Sequence, residues 1–158
     1  MTIRKTLDDA AGKICETILP IKSSYHTGRG KELAICTLGS MHLLEEISNS
    51  ILMDKVAIAG RLLSENRGID AIISFILANP SIRRIILCGQ DVKGHRSGQA
   101  LLSLYKNGVD KTGRIVGALG PYPIIRSSSR DVEAFRKQIE IVDMTGTTAI
   151  EKIMASVP

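Results

Sequence analysis

Aromatic side chains are almost missing from this chain. Only 3% of residues are Phe, Tyr or Trp, and Trp is absent, so binding to nucleic acid by base stacking lacks its usual platforms. The interior must be built from Ile, Leu, Val, Ala and Met. Cysteine is also sparse: Cys15, Cys36 and Cys88 are far apart and odd in number, and no charged n-region with an apolar h-region opens the sequence. That pattern reads as a reducing cytoplasm and buried thiols. With no Cys-x-x-Cys pair, a structural zinc site is not expected. No apolar run approaches the ~20 residues a membrane-spanning helix needs, so the chain reads as soluble.

What remains is 158 residues, 44% hydrophobic and 23% charged, which suits one globular domain. The net charge of +5 and pI near 9.3 are spread along the chain in short pairs such as Arg83-Arg84 and Arg136-Lys137. A solvated, slightly basic surface follows, and no nucleic-acid partner.

The hydrophobic pattern sets the organisation. Thr6 to Leu19 carries apolar residues at helical spacing, capped by Thr6 or Asp8 and stopped by Pro20, and predicts a leading helix. Tyr25 to Lys31 holds Gly28 and Gly30 but precedes a strand instead of following one, so its phosphate-loop reading fails on context and it is expected to be a flexible loop with His26 exposed. Strands and helices then alternate: strand Leu33–Thr37, helix Met41–Ser50, strand Val56–Ala59, helix Ile69–Leu77, strand Ile85–Cys88, helix Gly98–Lys106, strand Ile115–Ala118, helix Asp131–Lys137, strand Ile139–Asp143 and helix Thr147–Ala155. This predicts a single Rossmann-like α/β domain: a mainly parallel sheet of about five strands with helices on both faces. Residues 1–31 would be leader and loop, 32–146 the core and 147–158 the closing helix.

Ligands in such sheets collect beyond the carboxyl ends of the strands. Waiting there are Thr37-Leu38-Gly39-Ser40, Gly60, the Gly89–Gly98 stretch, Gly120-Pro121-Tyr122-Pro123 and Thr145-Gly146. Every end carries glycine, which leaves room for a broad flat ligand, although glycine also serves simply to end strands. Gly89-x-x-x-x-Gly94 resembles a phosphate loop, yet His95-Arg96 stands where Lys-Ser or Lys-Thr would be, so nucleotide binding is the lesser reading. The same stretch holds a single histidine, His95, able to ligate a metal or move a proton. Asp91 precedes it by four residues and is expected to accept the imidazole's second N–H, raising its basicity. One histidine alone cannot hold a metal ion tightly, so the metal should arrive inside a cofactor such as a macrocycle. An exposed or merely hydrogen-bonding histidine is the plainer alternative.

The wording of Ile86 to Ala100, ILCGQDVKGHRSGQA, followed by LYKNGVD at Leu104 to Asp110, resembles the A subunit of tetrahydromethanopterin S-methyltransferase, the corrinoid-carrying member of a methanogen membrane complex. AICTLGS (Ala34 to Ser40), IVGALGPYP (Ile115 to Pro123) and QIEIVDM (Gln138 to Met144) are similar to the same family, so the resemblance spans roughly residues 33 to 145. It implies a cobamide whose cobalt takes methyl from a methyl-pterin and passes it to a thiol, with His95 matching the family's cobalt ligand. Cobamide contacts are expected at Thr37, Leu38, Gly39, Ser40, Gly60, Gly89, Gln90, Asp91, Val92, Gly94, His95, Gly98, Gln99, Gly120, Pro121 and Tyr122. His95 and Asp91 would carry the chemistry. Donor and acceptor would be bound mainly on partner subunits, the cofactor-carrying chain lying in the cytoplasm, peripheral to a membrane complex. A cofactor-free interaction subunit is the non-enzyme alternative. Two departures stand out: this sequence stops at Pro158 without the family's linker and membrane helix, which reads as a shortened chain or a soluble relative, and its spacing Asp91-x-x-x-His95-x-x-Gly98 differs from the Asp-x-His-x-x-Gly signature of other corrinoid modules. Sodium export is therefore not assigned to it, and the altered spacing suggests a corrinoid seat without a long slot for the nucleotide tail.

Overall fold

The computed structural model describes residues 25–158; the leading helix expected over Thr6 to Leu19, and Cys15 with it, lie outside them. Strand β2 (Leu33–Cys36) and strand β4 (Arg84–Leu87) are continuous apolar runs, buried almost throughout. That is the signature of strands covered on both faces. Their side chains alternate between two cores: Ala34, Cys36, Ile85 and Leu87 face one, and Leu33, Ile35, Ile86 and Cys88 the other. Fully burying a side chain such as Ile86 or Leu87 contributes about 1.5–3 kcal/mol.

Helix α1 (Met41–Ser48) with the 3₁₀ turn Ile51–Asp54 leads to β3 (Ile58–Gly60), and helix α2 (Arg67–Ala78) leads from β3 to β4. Helix α3 (Ser97–Asn107) and helix α4 (Ser129–Gln138) precede β5 (Glu140–Asp143), and α5 (Ile150–Ser156) closes the chain. Buried residues of α2, α3 and α4 fill the first core; those of α1, the 3₁₀ turn and α5 fill the second. The sheet order is β1-β3-β2-β4-β5, parallel except for β1 (Tyr25–Thr27), which runs antiparallel to β3 at one edge. The α/β class and the number of strands agree with the sequence pattern.

Two assignments change. Ile115–Ala118 is not a strand: Ile115 makes only an isolated bridge to Val109, and the segment belongs to a long loop between α3 and α4. Four apolar-leaning residues without a partner to pair with cannot declare themselves strand or loop. The fifth strand is instead β1, in the stretch read as a flexible loop, and His26 there is partly buried and paired with Ala59. Gly28 and Gly30 are required because a Cβ on either would lie 2.0 Å from the carbonyl oxygens of Val56 and Lys55 respectively. They let two backbones touch and cradle nothing.

Between β2 and β4 the chain's progression across the sheet reverses direction, so the loops after these strands diverge. In open α/β sheets this is where a crevice for ligand forms. The loops are laced at their base: Gly39 N–H donates to the Gln90 carbonyl at 2.9 Å and Gln90 N–H to Ser40 Oγ at 2.9 Å.

Candidate functional site

His95 stands in the loop between β4 and α3 with its side chain 53% exposed, and its Nδ1 lies 2.8 Å from Glu65 Oε2. Glu65 comes from the loop between β3 and α2, and its side chain is only 1% exposed. Its other oxygen accepts the Tyr122 backbone N–H at 3.0 Å. Burial by itself pushes the Glu65 carboxyl up, but its own and Tyr122's backbone N–H groups and the His95 ring outweigh that and hold it below its ordinary 4.5. An ionised carboxylate only accepts hydrogen bonds. Nδ1 of His95 must therefore donate, and in the neutral ring the lone pair sits on Nε2, the nitrogen not tied to Glu65.

The carboxylate behind His95 is thus that of Glu65 and not the expected Asp91. Asp91 is turned the other way, accepting from the backbone N–H groups of Gly98 at 2.8 Å and Gln99 at 3.0 Å, and from its neighbour Val92 at 2.8 Å. The Gly98 and Gln99 groups belong to the first turn of α3, where the helix leaves donors unsatisfied and favours negative charge. Asp91 fixes the helix terminus and through it the loop. Ser97 Oγ adds a 2.8 Å bond to the Leu62 carbonyl, tying α3 to the loop that carries Glu65. Asp91 thus occupies two of the helix-terminal N–H groups that an anion at this loop would otherwise use.

The loop between α3 and α4 forms the remaining wall. Gln99 clamps it, its Nε2 donating to the Gly117 carbonyl at 2.9 Å and its Oε1 accepting Leu119 N–H at 2.9 Å. Asn66 Nδ2 donates to the Tyr122 carbonyl at 3.1 Å. A Cβ at Gly120 would fall 2.4 Å from the His95 carbonyl oxygen and 3.1 Å from Glu65 Cγ. Glycine is required there so that this loop can press on the histidine's own backbone. Above it, Leu119 and Tyr122 are 65% and 61% exposed, with Val116 also out, giving an apolar surface on the segment that packs against the histidine.

The expected residues divide accordingly. Gly94 precedes His95 and has nothing within 4 Å of a Cβ added to it, Gly120 abuts the His95 backbone, and Tyr122 N–H meets Glu65. Pro121 lies between Gly120 and Tyr122 in the chain, and Gln99 holds the same loop at Gly117 and Leu119. Gly39, Ser40, Gln90 and Val92 form the adjoining rim, with Gly39's Cβ position 3.3 Å from the Gln90 carbonyl and 3.4 Å from Val92. Thr37, Leu38, Gly89 and Gly98 are buried in the base beneath it. Gly89 has φ +76 and a Cβ there would lie 2.2 Å from the Thr37 carbonyl, so its freedom serves the packing of two loops. Gly60 stands apart, lining a cavity along α2. Glu65 is absent from the sequence-based set because only the glycine ending β3 marks that strand's place at the rim. A signal for it exists: a carboxylate five residues past Gly60, in a loop that the parallel pattern also places at the carboxyl edge.

The two described cysteines take no part. Burial pushes the thiols of Cys36 and Cys88 up to about 12, leaving them neutral. Among the described residues no three His, Cys, Asp or Glu side chains come together as a bare metal ion would need, and no helix is long and apolar enough to cross a membrane.

The family model for the A subunit of tetrahydromethanopterin S-methyltransferase matches residues 13–158. Similar curated proteins include the A 2 subunit of tetrahydromethanopterin S-methyltransferase from Methanothermobacter thermautotrophicus, 39% identical over 79% of this chain and 67% of that protein. Its namesake in Methanothermobacter marburgensis is 42% identical over 71% and 59% of the two chains. The enzyme's A subunit from Methanocaldococcus jannaschii is 39% identical over 87% and 56%. The chain spans about two thirds or less of the length of these relatives.

Proposed function

The chain belongs to the A-subunit family of tetrahydromethanopterin S-methyltransferase, and from that premise we propose that it is the cobamide-binding methyl carrier of a corrinoid-dependent methyltransferase, with His95 as the residue that would ligate the cobalt. The observation that carries the reading is the Glu65–His95 pair at the carboxyl edge of the sheet. A buried anion fixes the ring through Nδ1 and leaves Nε2 as a basic donor at the surface. That is one ligand, well oriented, and a metal already held by a macrocycle asks for one.

The surroundings fit the group. Gly94 offers no side chain beside the imidazole, and Val116, Leu119 and Tyr122 expose apolar area on the neighbouring loop. When bound, the cobalt of a corrinoid accepts a methyl group in one oxidation state and releases it from another. The chain's own part is positional. His95 would donate through Nε2 and Glu65 would balance positive charge on the ring whose tautomer it holds, while Gln99 and Asn66 hold the 117–122 loop beside them. Methyl donor and thiol acceptor would be supplied by partner proteins, in keeping with relatives whose names make each of them one subunit of a larger methyltransferase.

The test is spin resonance of the protein loaded with divalent cobamide. Coupling to one axial nitrogen is expected, traceable to ¹⁵N-labelled histidine and lost in His95→Ala. Coupling that follows the nitrogen of the corrinoid's own lower base, or that survives the substitution, overturns the assignment.

A further inference from the structure

A second space lies away from His95, between α2 and the β1–β3 edge of the sheet, with a volume of about 650 Å³. That is within the ~300–1,000 Å³ range of small-molecule sites. Its walls are largely apolar, with Ile58 and Ile72 inside and the half-exposed rings of Tyr25 and Phe75 at its edges. Arg61 is part of this lining, and among the described residues its Nε is buried without a hydrogen-bond partner. Among the described residues its guanidinium meets no carboxylate in any ion pair. Ser64, also in the wall, accepts from Gly68 N–H at 2.8 Å through Oγ, which leaves its hydroxyl proton to give.

A buried N–H without a partner is costly, and a guanidinium at the wall of an apolar space can hold an anion through its reachable terminal nitrogens. We propose that this cavity is a binding site for an organic anion with a flat apolar body, its carboxylate, phosphate or sulfonate held by Arg61 and Ser64 and its body lying between α2 and β3. The proposal stands independently of cobamide at His95.

Naphthalene-2-sulfonate is the probe and uncharged 2-naphthalenemethanol its comparator, titrated calorimetrically into the corrinoid-free full chain. The sulfonate should bind at one site, and Arg61→Met should weaken it about 10- to 100-fold, the scale of a lost charge-assisted pair, while the alcohol is little changed. Arg61→Met should melt no lower than the parent, since the substitution removes a buried Nε–H that has no partner. Ala71→Leu, on the exposed part of α2 and reaching into the cavity, should weaken both probes with Arg61 in place. Equal affinity for sulfonate and alcohol, or sulfonate binding that survives Arg61→Met, overturns the proposal. Displacement of the probe by a complete cobamide but not by cobinamide, which lacks the nucleotide, identifies the occupant as the cofactor's phosphate-linked base. Displacement by neither identifies a separate metabolite, and displacement by both overturns the cavity as a site of its own.

Discussion

Glu65→Gln changes one atom of the site and isolates what the buried charge contributes. The carboxylate has acceptors on both oxygens and uses both, one for His95 Nδ1 at 2.8 Å and one for Tyr122 N–H at 3.0 Å. An amide has one acceptor. If its oxygen stays with Tyr122, its NH₂ faces the imidazole and draws the lone pair to Nδ1, placing the proton on Nε2, where a metal would have to displace it. If the amide turns over, two N–H donors oppose each other at Tyr122. Either way the ring loses its anionic support, and loss of such a partner costs about 10- to 100-fold in metal affinity, or about 1.4–2.8 kcal/mol at 1.4 per tenfold. Cobinamide is the right ligand for the assay, because without a lower base the protein must supply any axial nitrogen. Absorption titrations of parent and variant should differ by that factor, and ring ¹⁵N shifts of the corrinoid-free proteins should show the neutral tautomer exchanged. Affinity within about twofold of the parent with the tautomer unchanged would refute the claim that Glu65 sets the basicity of Nε2.

Three further outcomes follow from contacts around the same site and core. Gly120→Ala puts a methyl 2.4 Å from the His95 carbonyl oxygen; such overpacking typically costs about 1–3 kcal/mol, and a melting temperature equal to the parent's would show that the loop yields freely. Gln99→Ala removes the acceptor for Leu119 N–H and the donor to the Gly117 carbonyl, so exchange of the Leu119 amide should accelerate by about tenfold, the equivalent of one net hydrogen bond. Unchanged exchange there would mean the loop is held by other contacts. Cys36 and Cys88 should resist iodoacetamide at pH 8 in the folded chain and react in denaturant, because their native thiols ionise only near 12 against an ordinary 9.0; the neutral thiols stabilise the fold fully below about pH 9, and that contribution fades as pH rises toward 12. Labelling of either cysteine at the rate of a free thiol would contradict their burial.

The central strands were legible because a strand covered on both faces leaves an unbroken apolar run, as Leu33 to Cys36 and Ile85 to Cys88 do. The same logic misled at Ile115 to Ala118, where the apolar residues belong to a loop that anchors Ile115 in the core, and at Tyr25 to Thr27, where a three-residue edge strand has too little pattern to declare itself. His95 could be placed at the rim from its position after a central strand. Its partner could not, because spacing along the chain favours Asp91, four residues off, whereas the fold delivers Glu65 from 30 residues away. Local sequence reports on turns and caps, and Asp91 proved to be a cap. Pairings between the ends of different strands depend on sheet order, and only the folded chain supplies that.

Asp91 at the head of α3 has one more consequence. Its carboxylate is tethered to the N–H groups it satisfies, so it acts as a built-in competitor at an effective concentration in the millimolar range or above. Free phosphate or nucleotide reaching the Gly98 and Gln99 N–H groups would have to displace a carboxylate that never diffuses away, so the chain's own side chain sets the threshold for any anion at this edge.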